Sequence, residues 1–360
     1  MRKWCKVVVA DDSAFMRLVI ARVLNEDDEI EVVGMASNGA EAVELVKSLR
    51  PSVVTLDVEM PIMDGLTALE LIMRDCPTPV VMVSALTKEG AEVTMKALQL
   101  GAVDFIAKPS GSISLDFHKV KNELVGKVKA AARAKLKILP TLKPLRLIQA
   151  VSSEAPKEWA AVVIGASTGG PAAVRYVLSQ LPSNLPAAVL LVQHMPVGFT
   201  KFFADNLNQV SALPVHEARD GETIQPQKVY LAPSGFHLLV ERGGRLKLDT
   251  SPPLHNVRPA ADKTFDSAAN VFKQKCIGIV MTGMGSDGAI GLLTVKELGG
   301  RTMVQAPETC VIPSMPESAL KLGAAQESVP LEKLPQRITE VVNEVVKTSQ
   351  TKSAVEAAGA

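Results

Sequence analysis

Short apolar runs rich in Val and Ile alternate with amphipathic stretches along most of this 360-residue chain, and they fall into two sets. In the first set the runs are KVVVA (6–10), IEVVGMA (30–36), SVVTL (52–56), PVVMVSA (79–85) and AVDFIA (102–107). Their β-branched content favours strands buried on both faces. Between them, apolar residues recur at helical spacing over 14–24, 40–49, 66–73 and 91–100. Strand and helix alternating in this way predict a (βα)5 flavodoxin-like unit with a parallel sheet, assigned to residues 1–125. A last amphipathic stretch, from 117 to about 136, closes it.

The second set begins after Trp159 with AAVVIG (160–165), AAVLLVQ (187–193), CIGIVMTG (276–283) and RTMVQA (301–306). These predict a second doubly wound α/β domain over 158–347. KVYLAP, FHLLVE and RLKLD, between 228 and 249, predict a small antiparallel hairpin region within it. The intervening 126–157 holds a helix end and then Pro140, Pro144, Ser152, Ser153 and Pro156 without periodicity, as an interdomain linker would. Residues 348–360 are small and polar, and are expected to form a disordered tail.

Composition narrows this picture only a little. A chain with 47% hydrophobic and 21% charged residues is an ordinary soluble protein long enough for two cores. Its net charge of +1 gives no electrostatic reason to expect a nucleic-acid partner. Cys5, Cys76, Cys276 and Cys310 are far apart with no C-x-x-C pair, which argues against a zinc site or disulfide framework and fits a reducing cytoplasm. The apolar run at 7–10 is too short for a signal peptide, and no segment approaches the roughly 18 apolar residues of a membrane helix. A cytoplasmic protein without membrane insertion is therefore expected.

In an open parallel sheet, chemistry collects outside the carboxyl ends of the strands. At those ends the first domain places Asp11 and Asp12, then Asp57, then Ser84, then Lys108. Three carboxylates in one pocket repel unless a cation sits among them, and an all-oxygen donor set suits Mg²⁺. Lys108 and the Ser84 hydroxyl can then hold the oxygens of a phosphoryl group. The DD pair, LDVEMPIMDG (56–65) and DFIAKP (104–109) resemble the receiver domain of bacterial response regulators. That resemblance implies Asp57 as phosphoacceptor, Asp11 and Asp12 as Mg²⁺-positioning acids, and Ser84 and Lys108 as sensors of the phosphoryl group. It also places Phe105 where an aromatic switch residue is usual, although an aromatic on a last strand is as often plain core.

In the second domain, AVVIGASTGG (161–170) delivers Ser167 at a strand-to-helix corner, followed by Gly170 and Pro171 at a helix start. Gly165-Ala166-Ser167-Thr168-Gly169 matches the G-x-S-x-G nucleophile elbow. A glycine-rich corner of this kind also binds phosphate or simply connects elements. A serine nucleophile needs a base and a group that orients the base. Of the five histidines, only His194 directly follows a buried parallel-type strand; His118, His216, His237 and His255 sit elsewhere. Asp287, in the loop GMGSDG after CIGIVMT, is the matching acid, whereas Asp205, Asp262 and Asp266 lie in helical or loop contexts. The same loop lacks the G-x-G-x-x-G spacing and the lysine of nucleotide-binding loops.

The order Ser, His, Asp disfavours the common α/β-hydrolases, which run Ser, Asp, His. IGASTGGP, VQHMP and MTGMGSDGA, with HNVRPAAD (255–262) and VYLAPSGFH (229–237), resemble the catalytic domain of the protein-glutamate methylesterases of bacterial chemotaxis over about 159–345. The resemblance implies hydrolysis of γ-glutamyl methyl esters on the cytoplasmic helices of chemoreceptors, with glutamine deamidation as a related activity. It implies Ser167 as nucleophile, His194 as base, Asp287 as orienting acid, and an oxyanion held by backbone N–H groups near Thr168 and Met284. No cofactor is implied for ester hydrolysis. It further implies a chemotaxis histidine kinase as phosphodonor, and a receiver that covers the active site until Asp57 is phosphorylated. The competing possibility is a catalytically inactive receiver-adaptor, or phosphate sink, that binds receptors without cleaving them.

Overall fold

The computed structural model describes residues 3–85, 87–108, 117–134 and 156–358, and the chain divides into two compact units, Met1–Leu139 and Pro140–Ala360. Most of the expected linker, 135–155, lies outside the described residues.

The first unit contains strands β1 (Cys5–Ala10), β2 (Ile30–Ala36), β3 (Val53–Asp57), β4 (Val80–Ser84) and β5 (Asp104–Ala107). They form one parallel sheet in the order β2-β1-β3-β4-β5. Helices α1 (Ala14–Asn25), α2 (Gly39–Leu49), α3 (Gly65–Asp75) and α4 (Lys88–Gln99) connect the strands. Each starts on a short polar side chain that accepts an otherwise unpaired backbone N–H: Ser13, Asn38, Asp64 and Thr87. β3 and β4 are buried throughout, in accord with their unbroken apolar runs. Helix α5 (Phe117–Ala132) packs on β3, β4 and β5.

The second unit is a seven-stranded, wholly parallel sheet in the order β14-β13-β12-β6-β7-β9-β8. Its strands are β6 (Ala160–Ala166), β7 (Ala187–Gln193), β8 (Val215–Glu217), β9 (Val229–Leu231), β12 (Cys276–Val280), β13 (Arg301–Gln305) and β14 (Glu327–Val329). The two remaining strands, β10 (His237–Glu241) and β11 (Arg245–Asp249), make the expected antiparallel hairpin. KVYLAP is not part of that hairpin. Its strand β9 instead joins the parallel sheet beside β7. Helices α6 (Gly170–Leu178), α7 (Thr200–Asn208), α8 (Ala261–Phe272), α9 (Ala289–Glu297) and α10 (Ser314–Lys321) complete the α/β layers.

The chain leaves β6 toward β7 on one side and returns through β12 on the other, which makes the gap between β6 and β12 a topological switch point. Ligand crevices form at such points, outside the strands' carboxyl ends. The last helix, α11, spans Leu334–Ala358, so residues 348–358 are helical where a disordered tail was expected. The segment TSQTKSAVEAA contains no Gly or Pro before Gly359 and carries good helix formers, so nothing in it stops a helix already under way. No helix among the described residues is long and apolar enough to cross a membrane.

Candidate active site

Ser167 immediately follows β6, at the switch point. Its backbone N–H donates to Thr282 O (3.0 Å), which ties the corner to the loop after β12. Gly169 has φ of +76°, and a side chain there would meet Val311, so the sharp turn requires glycine. Gly170 is set by space: a Cβ would lie 2.1 Å from Gln193 Oε1. Gln193, the last residue of β7, is buried and its Nε2 donates to Ser167 O (2.9 Å) and His194 O (3.1 Å). One amide therefore braces both the corner that carries Ser167 and the residue that follows β7. Gly170→Ala is accordingly expected to cost about 1–3 kcal/mol of stability in the second unit. Denaturant unfolding followed by circular dichroism checks this, together with a loss of hydrolytic rate.

His194 projects from the carboxyl end of β7, with its own N–H donating to Ala166 O (3.1 Å). Its Nε2 lies 2.8 Å from Asp287 Oδ2. Asp287 is buried, and its carboxylate also accepts Ala261 N–H (2.6 Å, to Oδ2) and Asp262 N–H (3.0 Å, to Oδ1) from the first turn of α8. Burial alone would push the Asp287 carboxyl up. The His194 ring and these two N–H groups outweigh it and hold the carboxyl below its ordinary range. The carboxylate is thus held ionised and fixed in place.

The expected third contact is not closed, because the Ser167 hydroxyl makes no hydrogen bond among the described residues. Nucleophile and base often tighten only around substrate. With Nε2 engaged by Asp287, Nδ1 is the His194 ring nitrogen that has no hydrogen bond among the described residues. Met284 is 43% exposed, and its backbone N–H has no partner among the described residues. Thr168 is buried beside Ser167, and its carbonyl receives the Thr282 hydroxyl (3.0 Å). Thr282 N–H in turn donates to the buried Gln305 Oε1 (3.0 Å).

The carboxyl edge of the first sheet brings together the other predicted group. Carboxylate oxygens of Asp11, Asp12 and Asp57 all lie within 4.8 Å of one another. Lys108 Nζ is 2.7 Å from Asp57 Oδ2 and 3.1 Å from Asp11 Oδ2. The Asp11 contact is misaligned for a hydrogen bond, so Asp11 Oδ2 remains a buried acceptor without a hydrogen bond. Burial pushes the Asp57 carboxyl up to about 6; Lys108 and the Val58 N–H pull it down, while Asp11 pushes it further up. One ammonium does not neutralise three acids, and three carboxylates this close fit a hard divalent cation such as Mg²⁺. The Ser84 hydroxyl donates to Gly90 O (3.1 Å) at the end of β4. Phe105 is 1% exposed, and Lys127 Nζ lies 5.3 Å from its ring centroid.

The sequence assigns no role to Gln193 and Gln305, at the ends of β7 and β13, or to Thr282, two residues past β12, and it sets His255 and Asp262 aside in favour of His194 and Asp287. The Gln that terminates AAVLLVQ was the available signal, since a buried amide at a strand end needs partners.

Together the two sheets and their carboxyl-edge groups define a response-regulator receiver joined to a hydrolase of the methylesterase class. The receiver-domain family model matches residues 7–116 and the CheB methylesterase model residues 162–338. A protein-glutamate methylesterase/protein-glutamine glutaminase of Symbiobacterium thermophilum is 47% identical over 354 residues, covering 94% of this chain and 97% of that protein. The protein of the same description from Geobacillus kaustophilus is 48% identical, covering 95% of this chain and 100% of its own length. The crystal structure of the Thermotoga maritima CheB methylesterase catalytic domain matches 51% of this chain and 99% of that chain with a TM-score of 0.50 and 44% identity. The chain belongs to the receiver-containing family of CheB-type protein-glutamate methylesterases/protein-glutamine glutaminases.

Proposed function

We propose that this protein hydrolyses γ-glutamyl methyl esters on the cytoplasmic helices of chemoreceptors, in the cytoplasm, and that phosphorylation of Asp57 raises the rate. The observation that carries this reading is the His194–Asp287 pair, set at 2.8 Å beside Ser167 at the sheet's switch point. Ser167 Oγ attacks the ester carbonyl carbon while its proton passes to His194 Nδ1. Met284 N–H, with Thr168 as the second donor, stabilises the oxyanion. Collapse of the tetrahedral intermediate breaks the C–O bond to the methoxy group, which takes the proton from His194 and leaves as methanol. Water then attacks the glutamyl ester of Ser167 and gives its proton to His194. Glutamate is released as the Ser167 hydroxyl is restored. A glutamine substrate follows the same course with ammonia as the leaving group, which is the glutaminase activity.

In the receiver, Asp57 is the phosphoacceptor, supplied by a chemotaxis histidine kinase. Asp11, Asp12 and Asp57 would hold Mg²⁺, which when bound offsets the charge of the pocket and of the incoming phosphoryl group. Lys108 and Ser84 would then hold phosphoryl oxygens, and Phe105 would report the change as the switch aromatic. Excess EDTA is expected to abolish both label incorporation at Asp57 and stimulation by acetyl phosphate while leaving basal ester hydrolysis within about twofold, because the Ser167 chemistry draws on side chains and backbone donors alone. Label incorporation and methanol release measured on the same sample check this. Equal loss of both would place a metal in the hydrolytic step.

A further inference from the structure

The Asp287 carboxylate is aimed by backbone rather than by side chains: its two fixed donors, Ala261 N–H and Asp262 N–H, are the first two residues of α8. That helix has no side-chain cap of its own, since Ala260 occupies the cap position. Asp287 therefore serves as the cap from across the site, and whatever fixes the first turn of α8 also fixes the acid. The Asp262 side chain is placed to do so. Its Oδ1 accepts Gly291 N–H (2.7 Å), in the first turn of α9, and its Oδ2 receives His255 Nε2 (2.8 Å). Helix α9 begins directly after the loop that carries Asp287, so Asp262 holds Asp287 through its own N–H and the start of α9 through its carboxylate.

His255 reaches Asp262 from a loop whose geometry is costly. His255 and Asn256 both have left-handed backbone, with φ of +53° and +63°. Non-glycine residues in that region cost about 1 kcal/mol each and persist where the surroundings impose them. A tight turn imposes them here, closed by Leu254 N–H to Val257 O (3.2 Å) and Val257 N–H to Leu254 O (3.0 Å), and a second histidine holds the flanks of the loop. His237 is fully buried; its Nδ1 accepts Ala260 N–H (3.1 Å), so its Nε2 carries the proton and donates to Pro252 O (3.1 Å). The loop from 252 to 260 is thus pinned at both ends with His255 turned toward Asp262.

We propose that Asp262 and His255 are a positioning pair for the hydrolase, clamping the first turns of α8 and α9 so that the Asp287 carboxylate stays aligned on His194. Neither residue touches the reacting atoms. The inference rests on the Ser167–His194–Asp287 reading above. Supporting it, burial pushes the Asp262 carboxyl above its ordinary range despite the Gly291 N–H and His255, and nearby Asp287 pushes it further up. A carboxylate kept there against burial and a neighbouring acid is an expensive choice for a mere helix contact.

The test uses the full chain with four variants and two readouts: steady-state methanol release from a methylated receptor fragment, and the ¹H resonance of the His194 ring N–H bonded to Asp287. Asp262→Ala is expected to lower kcat about 10- to 100-fold with KM within about twofold, and to displace or broaden that resonance. Asp262→Asn keeps an acceptor for Gly291 and a group that can pair with His255, and is expected to recover kcat to within about threefold of the parent. His255→Ala removes a ring that is 32% exposed, which protects the fold, and is expected to lower kcat about 3- to 10-fold with the same spectral change. Should Asp262→Ala fail to fold, His255→Ala alone decides. An unchanged kcat and resonance in His255→Ala, or kcat and KM falling together without a spectral change, would overturn the positioning pair. Ser167→Ala separates the two layers: if it retains parental activity, the triad reading itself fails, whatever the other variants do.

Discussion

Ser167→Ala is expected to lower methanol release by about four to six orders of magnitude in kcat, with the protein still folded and still phosphorylated on Asp57. The size follows from the roles. Without Oγ no acyl-enzyme forms, and the remaining route is attack by water assisted by His194 and the oxyanion donors alone. Asp287→Asn is expected to cost about 10⁴ through a different cause, because an amide cannot hold His194 in the tautomer that leaves Nδ1 free. The fold should tolerate the serine change. Ser167 is held by its backbone, through Thr282 O, Gln193 Nε2 and Gly170 N–H, and its hydroxyl bonds nothing among the described residues. Progress curves with labelled ester, run beside thermal melts, check both points. A Ser167→Ala rate within tenfold of the parent would mean that another group supplies the nucleophile.

The second large effect lies in the receiver. Asp57→Asn is expected to abolish stimulation by phosphodonor entirely and to leave basal hydrolysis within about threefold. Asparagine keeps the acceptor for Val58 N–H (2.7 Å) but offers no carboxylate to form an acyl phosphate. The switch needs the phosphoryl group to favour one arrangement over another, and moving a 1:99 mixture to 99:1 takes about 5.5 kcal/mol of such preference. Stability gives an independent check. The folded-state Asp57 carboxyl is raised to about 6, above the unfolded value, so its contribution is present at low pH and lost as pH rises through 6. In chelator at pH 7 the ionised, buried Asp57 therefore opposes folding. Asp57→Asn should melt at or above the parent there, with the difference shrinking toward pH 5. A variant melting well below the parent at pH 7 would show that the Lys108–Asp57 contact outweighs burial.

Much of this arrangement could be read from residues alone, and the exceptions have physical reasons. Twelve of the fourteen strands among the described residues are visible as β-branched or apolar runs, and the polar ends of several mark the two chemical edges. β8 and β14 are not, because VHE and ESV are three-residue strands with one apolar residue each and form no apolar run. KVYLAP stands next to FHLLVE and RLKLD in the chain, and nearness in sequence alone groups it with the hairpin. What fixes it in the parallel sheet is pairing with Val189–Leu191, a contact some 40 residues away in the chain. The helix through 348–358 is hidden by its small polar residues, which look like a tail although nothing among them stops a helix.

At the site, Ser167, His194 and Asp287 were legible because each terminates a recognisable strand or its following loop. Asp262 and His255 were not, since a helix-initial acid and a histidine in a Pro-rich loop give no local sign of meeting. Their contact forms only where the loop that carries His255 folds back on the first turn of α8, seven residues further along the chain. The spatial capping of α8 by Asp287 is hidden for the same reason: the donors and acceptor are 25 and 26 residues apart.

The measurement that bears most directly on the account is methanol release by the full chain from a radiolabelled, methylated receptor cytoplasmic fragment, with and without acetyl phosphate and Mg²⁺, beside Ser167→Ala and Asp57→Asn. The account predicts release that rises with phosphodonor, vanishes in Ser167→Ala and persists at the basal level without stimulation in Asp57→Asn. No release from folded protein that still incorporates phosphate at Asp57 would contradict it and leave a receiver that binds receptors without cleaving them.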